Sequence, residues 1–152
     1  MSIRQAADIR LAMLDWDEAR EAARPIREQV FVAEQGVPAD LEWDEFDPVS
    51  RHCLAWSPDG TAVATGRLLP DGHIGRMAVL AGWRGLGVGS AVLEALLEEA
   101  GRRGLREAVL HAQTHAAGFY LRFGFAPEGG EFEEAGIPHV TMRRPLGPAG
   151  SA

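Results

Sequence analysis

Hydrophobic positions along this chain change their period several times, and each change marks an element. Over residues 8–14, Ile9, Leu11 and Met13 alternate with polar or small neighbours, which predicts a strand. Asp15 or Asp17 then stands where a helix over Trp16–Glu34 needs its N-cap. Pro25 interrupts that pattern and predicts two short helices or a kink; Gly36 and Pro38 end it. Residues 37–49 read as an acidic loop with aromatic side chains. Three strand patterns follow, Arg51–Trp56, Thr61–Leu69 and His73–Leu80. They are joined by Pro58-Asp59-Gly60 and Pro70-Asp71-Gly72, and two such turns in succession predict an antiparallel meander.

The period then lengthens. Val88, Val92, Leu93, Leu96, Leu97 and Ala100 recur at three and four residues, an amphipathic helix with Glu94, Glu98 and Glu99 on its outer side and Gly104 as its stop. Leu105–Ala112 is a buried strand, and Thr114 opens a short helix that ends near Gly124. Phe125–Phe132 and His139–Arg144 form a last strand pair around Gly136-Ile137-Pro138. The order β-αα-βββ-α-β-α-ββ predicts an α+β fold, a mixed sheet with helices on its faces.

Composition narrows the class. The chain has 152 residues, which fits a single domain over 1–146 with 147–152 as a flexible tail. The single Cys53 excludes an internal disulfide framework and a cysteine zinc site. No apolar run reaches the roughly 18 residues of a membrane span, so a soluble, cytoplasmic protein without membrane partners is expected. The net charge of -7 argues against nucleic acid and suits a cationic small molecule or peptide. No metal site is predicted.

Arg84-Gly85-Leu86-Gly87-Val88-Gly89-Ser90 carries the strongest chemical signal, because it lies between a strand and an amphipathic helix. Glycines there permit positive φ and close approach of a ligand to the backbone. The unpaired N–H groups of a helix N-terminus and the helix dipole favour an anion such as a diphosphate. A P-loop requires a Lys, and the chain has none. A dinucleotide fingerprint belongs to the first β-α-β of a parallel sheet, not after a meander.

The segment Arg76–Leu80 followed by Arg84-x-x-Gly87-x-Gly89 resembles the acyl-CoA signature of the GNAT acetyltransferase superfamily. Gln113-x-x-Ala116-x-x-x-Tyr120 with Gly124-Phe125 resembles that family's N-x-x-A-x-x-x-Y…G-F segment, with Gln in place of Asn. Val30–Val32, Glu34-Gln35, Val37-Pro38, Arg67-Leu68-Leu69 and Gly136–His139 are similar to its small bacterial ElaA-like branch. The resemblance implies the GNAT fold and acetyl-CoA as co-substrate, with transfer to a primary amine of a small molecule or peptide, and homodimers are common in such families. It implies that Met77, Ala78 and Val79 line the pantetheine arm, with the Val79 N–H polarising the thioester carbonyl, and that 84–90 holds the diphosphate. Gln113, Phe119 and Arg122 would also lie along the coenzyme. Gly75 is placed to ease a bulge in the same strand.

Amine acetylation needs a neutral amine, a polarised carbonyl and a proton for the departing thiolate. The resemblance gives the last task to Tyr120, the single Tyr, whose phenol with an ordinary pKa of about 10 can protonate a thiolate. Glu34, Asp44, Glu45, Asp47, His52, His111 and His139 compete as base; Glu34 and His139 are preferred, and a water chain is the alternative to both. Gln35, Trp43, Asp47 and Arg67 are candidates for the acceptor pocket. Two other functions fit the same motifs. Arg27-x-x-x-Phe31, Asp44-x-x-Asp47 and Arg67 resemble the acyl-homoserine-lactone synthases, and the glycine turn alone suits a non-catalytic acyl-CoA-binding module.

Overall fold

The computed structural model describes residues 8–39 and 44–147. Seven strands form one sheet: β1 (Arg10–Asp15), β2 (Arg51–Trp56), β3 (Ala62–Leu68), β4 (His73–Val79), β5 (Glu107–Gln113), β6 (Ala126–Glu134) and β7 (Ile137–Pro145). They lie in the order β1-β2-β3-β4-β5-β7-β6, antiparallel except for β4 against β5. Helix α1 (Trp16–Arg27) covers one face, while α2 (Val88–Arg102) and the short α3 (Ala117–Leu121) cover the other. The sheet is thus the mixed, helix-flanked sheet that the pattern predicts.

The larger core lies under α2. Val88, Val92, Leu93, Leu96 and Ala100 pack on Cys53, Ala55, Ala64, Leu68, Ile74, Leu110 and Met142. A Cβ added to Gly66 would meet Leu96 Cδ1 at 2.8 Å and Val92 Cγ1 at 2.9 Å, so the glycine is what lets α2 lie this close to β3. The smaller core joins Trp16, Ala19, Ala23, Ile26 and Val30 to Leu54 and Ala78.

Four local expectations are corrected. Pro25 neither splits nor ends the first helix; the chain runs on from α1 into a π-wound segment, Glu28–Glu34. Proline removes one helical bond, but Ile26 and Val30 beyond it are buried, and each buried side chain of that size is worth about 1.5–3 kcal/mol. Asp15 occupies the N-cap position without capping, because its carboxylate pairs with Arg51 at 2.6 Å. Glu99 is buried rather than outward, held by Arg51, Arg102 and Arg103 at 2.9–3.1 Å. Burial opposes its charge, but the three guanidiniums outweigh that and hold its carboxyl below the usual range. The last hairpin turns at Ala135-Gly136, both at positive φ, so Ile137 and Pro138 belong to β7 rather than to the turn between the last two strands.

Candidate active site

β4 and β5 pair only at His73↔Val109 and Ile74↔Leu110. Beyond these, Gly75–Val79 and His111–Gln113 diverge and leave a gap in the sheet. A bulge accompanies the divergence. Thr65 pairs with Ala78 and Arg67 with Gly75, so Arg76 and Met77 together oppose Gly66, and Arg76 takes φ +49°. The bulge expected near Gly75 therefore falls on the next residue.

The gap exposes main chain. Leu80 donates its N–H to Val63 O at 2.9 Å, toward β3. Successive strand amides point to opposite sides, so the Val79 N–H and C=O point away from β3, into the gap. The carbonyl confirms the direction by accepting Arg84 Nε at 2.9 Å.

The glycine turn closes this end of the gap. Gly85 and Gly87 adopt φ +75° and +85°, where a side chain is strained, and Gly87 is the N-cap of α2. No side chain caps that helix, and the first amide of α2 with an intrahelical partner is Ala91, bonded to Gly87 O at 3.1 Å. The N–H groups of Val88, Gly89 and Ser90 are thus offered outward, as a diphosphate would require. This cradle fits the coenzyme group that the turn predicts. Phe119 reaches this first turn, 3.9 Å from the Cβ position of Gly89. Arg122, at the end of α3, is exposed.

Tyr120 lies on the same face. Its hydroxyl is 3.9 Å from Met77 Sδ on the diverging strand, its ring is edge-on to Phe119 and Phe125, and burial pushes its phenol up to about 12. It therefore stays protonated through the physiological range and is a donor.

The opposite face carries the other candidates. Gln113 Nε2 donates to Gln35 Oε1 at 2.9 Å, joining two predicted residues across the gap. His139 is the register partner of Gln113. Its Nδ1 lies 2.7 Å from Ile137 O, and since a carbonyl only accepts, Nδ1 carries the proton and Nε2 is the basic atom. Glu134 Oε2 lies 3.8 Å from that Nε2, and Glu134 Oε1 lies 2.9 Å from His111 Nδ1. Sequence reasoning did not single out Glu134, because a hairpin turn and not a motif brings it there. Glu34 is ion-paired, its Oε2 2.8 Å from Arg84 Nη2.

Asp47 and Arg67 take a different role from the acceptor contacts expected of them. Asp47 receives Arg27 Nη1 and Nη2 at 3.0 and 3.2 Å and Arg67 Nη1 at 3.0 Å, all in the interior. Its backbone oxygen accepts from His52 Nε2 at 2.9 Å, and burial lowers the His52 pKa. Arg67 Nη1 also reaches Asp44 at 2.7 Å, and Arg76 reaches Asp44 at 3.1 Å. Burial would raise the Asp44 pKa, but Arg67 and Arg76 outweigh it and hold the carboxyl below its ordinary value. The network pins residues 44–49 to α1, β3 and the bulge. Trp43 lies outside the described residues. Among the described residues, no group of three His, Cys, Asp or Glu side chains is placed to hold a metal ion, and no helix is long and apolar enough to cross a membrane.

A mixed sheet opened between two parallel strands, with a glycine turn leading into a helix at the opening, defines an acyltransferase of the GNAT type. Residues 17–146 match the acetyltransferase (GNAT) domain family, and the chain belongs to it. Protein ElaA of Escherichia coli is 34% identical over 149 residues, covering 87% of this chain and 97% of that protein. Its crystal structure matches with a TM-score of 0.81 over 90% of this chain and 99% of that one, at 32% identity. The uncharacterized N-acetyltransferase YjcF of Bacillus subtilis is 36% identical over 131 residues, 84% of this chain and 94% of that protein. An acyl-CoA N-acyltransferase from Pseudomonas aeruginosa, 33% identical, gives a TM-score of 0.81 over 90% of this chain and 99% of that one. The chain is similar to the ElaA-like members, and acyl transfer is its class of chemistry.

Proposed function

We propose that this protein is an acetyl-CoA-dependent N-acetyltransferase that acts on a primary amine of a small molecule or peptide. Acetyl-CoA supplies an acetyl group activated as a thioester. The observation that carries the reading is the Val79 N–H turned into the gap, on the strand that the 84–90 turn follows and whose Met77 lies 3.9 Å from the Tyr120 hydroxyl. The amides of 88–90 hold the diphosphate, and the diverging strand around Met77 pairs with the pantetheine amides. The Val79 N–H donates to the carbonyl oxygen as charge develops on it. Tyr120 gives its proton to the departing sulfur. His139 Nε2 takes the proton that the ammonium must lose before it attacks, and Glu134 steadies the resulting imidazolium. The acidic surplus of the chain draws the cationic acceptor toward the gap.

Thiol release from acetyl-CoA over a panel of amines tests the activity. Saturable CoA binding with no turnover on any amine would favour a binding module instead. Tyr120→Phe tests the mechanism: kcat falls by about 100-fold or more while CoA affinity stays within twofold. Wild-type turnover in that variant would remove Tyr120 from its role.

A further inference from the structure

Glu34 and Gln35 end the π-wound segment, and their side chains go to opposite lips of the gap. Glu34 pairs with Arg84 on the β4 side, and Gln35 bonds Gln113 on the β5 side. One helix end is thereby tied to both diverging strands. The two ties differ in kind. Gln35–Gln113 is neutral, whereas Glu34–Arg84 is ionic and engages a residue of the diphosphate turn itself. Arg84 is held at two points, its Nε on Val79 O at 2.9 Å and its Nη2 on Glu34 at 2.8 Å. Both side chains of the pair reach solvent, 44% for Arg84 and 30% for Glu34, so the pair is screened and exchangeable. A diphosphate on the neighbouring amides presents more charge than one carboxylate, and a guanidinium pairs readily with phosphate oxygens.

We propose that Glu34 is a positioning residue that competes with the coenzyme's diphosphate for Arg84, so that filling the coenzyme side releases a carboxylate on the acceptor side. This rests on the reading of 84–90 as a diphosphate cradle. Before loading, Glu34 is neutralised and holds Arg84 beside the end of β4. After loading, the Nη groups turn to the diphosphate, and the freed carboxylate stands at the mouth of the gap, where it attracts an ammonium. The coenzyme thereby strengthens acceptor binding, and by reciprocity the acceptor strengthens coenzyme binding.

Calorimetric titration of CoA into the full chain tests this with four proteins: parent, Glu34→Gln, Arg84→Gln and the double variant. Removing the competitor tightens CoA by about two- to fivefold in Glu34→Gln, a range set by the worth of an exposed ion pair, and the gain shrinks at high salt. In the Arg84→Gln background the same substitution changes affinity by less than about 1.5-fold, because no cation is contested. An unchanged or weaker affinity in Glu34→Gln overturns the competition. So does an equal gain in the Arg84→Gln background, which would mean only that a nearby negative charge was lost. Failure of the parent to bind CoA would sink the diphosphate cradle itself, and this inference with it; binding without the Glu34 effect sinks the competition alone.

Discussion

On the β4 side of the gap, chemistry is offered by main chain: the Val79 N–H, the first amides of α2 and two glycines at positive φ. On the face under α1 the charged side chains hold one another, Arg27, Arg67 and Arg76 around Asp44 and Asp47. The first side needs few residues and constrains their type tightly. The second needs five charged residues from α1, a loop, β3 and β4, and any one of them is only as useful as its partners. The two sides should therefore fail differently, one through ligand affinity and the other through stability.

The largest effect is expected at Asp47. Alanine there leaves two buried guanidiniums without their shared carboxylate, and breaking a buried ionic cluster in this way costs about 3–5 kcal/mol. Urea unfolding of Asp47→Ala measures the loss. CoA affinity of the folded fraction is expected to stay within twofold, because the network lies away from the turn. A loss below about 1 kcal/mol would show that the network is not what pins the 44–49 loop.

The converse variant is Gly87→Val. A β-branched residue at φ +85° strains the N-cap and obstructs the amides beyond it. CoA affinity is expected to fall by about tenfold or more, with a stability loss of about 1–3 kcal/mol. Parent-like CoA affinity in this variant would contradict the diphosphate cradle and erase the contrast between the two sides.

That contrast also explains what was legible beforehand. Gly85 and Gly87 announce their backbone, because few other residues tolerate left-handed φ, and a strand before with a helix after fixes what they serve. The strand meander and α2 follow from periodicity and turn chemistry alone. Asp47, Asp44 and Arg67 could be picked out as charged residues in a suggestive pattern, but not assigned. Whether a carboxylate meets substrate or an arginine depends on contacts between residues 20 or more apart in sequence, such as Arg27 with Asp47. Glu99 was misplaced for the same reason: helical spacing sets it at the edge of the apolar stripe, and only the distant Arg51 draws it inward. Pro25 misled because propensity speaks for one residue, whereas Ile26 and Val30 on the sheet decide the path of the segment.

The smallest effect concerns pH and separates the sides without disturbing the fold. Asp44 keeps its carboxyl below the ordinary value because Arg67 and Arg76 outweigh the cost of burial. A carboxyl with a depressed folded pKa binds fewer protons in the native state than in the unfolded chain. Its contribution to stability is therefore complete above the unfolded value of about 3.9 and is lost as pH falls through it toward the lower folded value. Glu99 has the same sign, so the parent alone cannot report on one of them. Asp44→Asn can: it removes one titration and retains an acceptor for Arg67. The urea midpoint of the parent should fall more steeply between pH 6 and about pH 3 than that of Asp44→Asn, with the two curves converging at the acid end. Glu99→Gln gives the matching control at the far side of the sheet. Parallel curves for the parent and Asp44→Asn would mean that the charge on Asp44 does not help to hold the 44–49 loop in place.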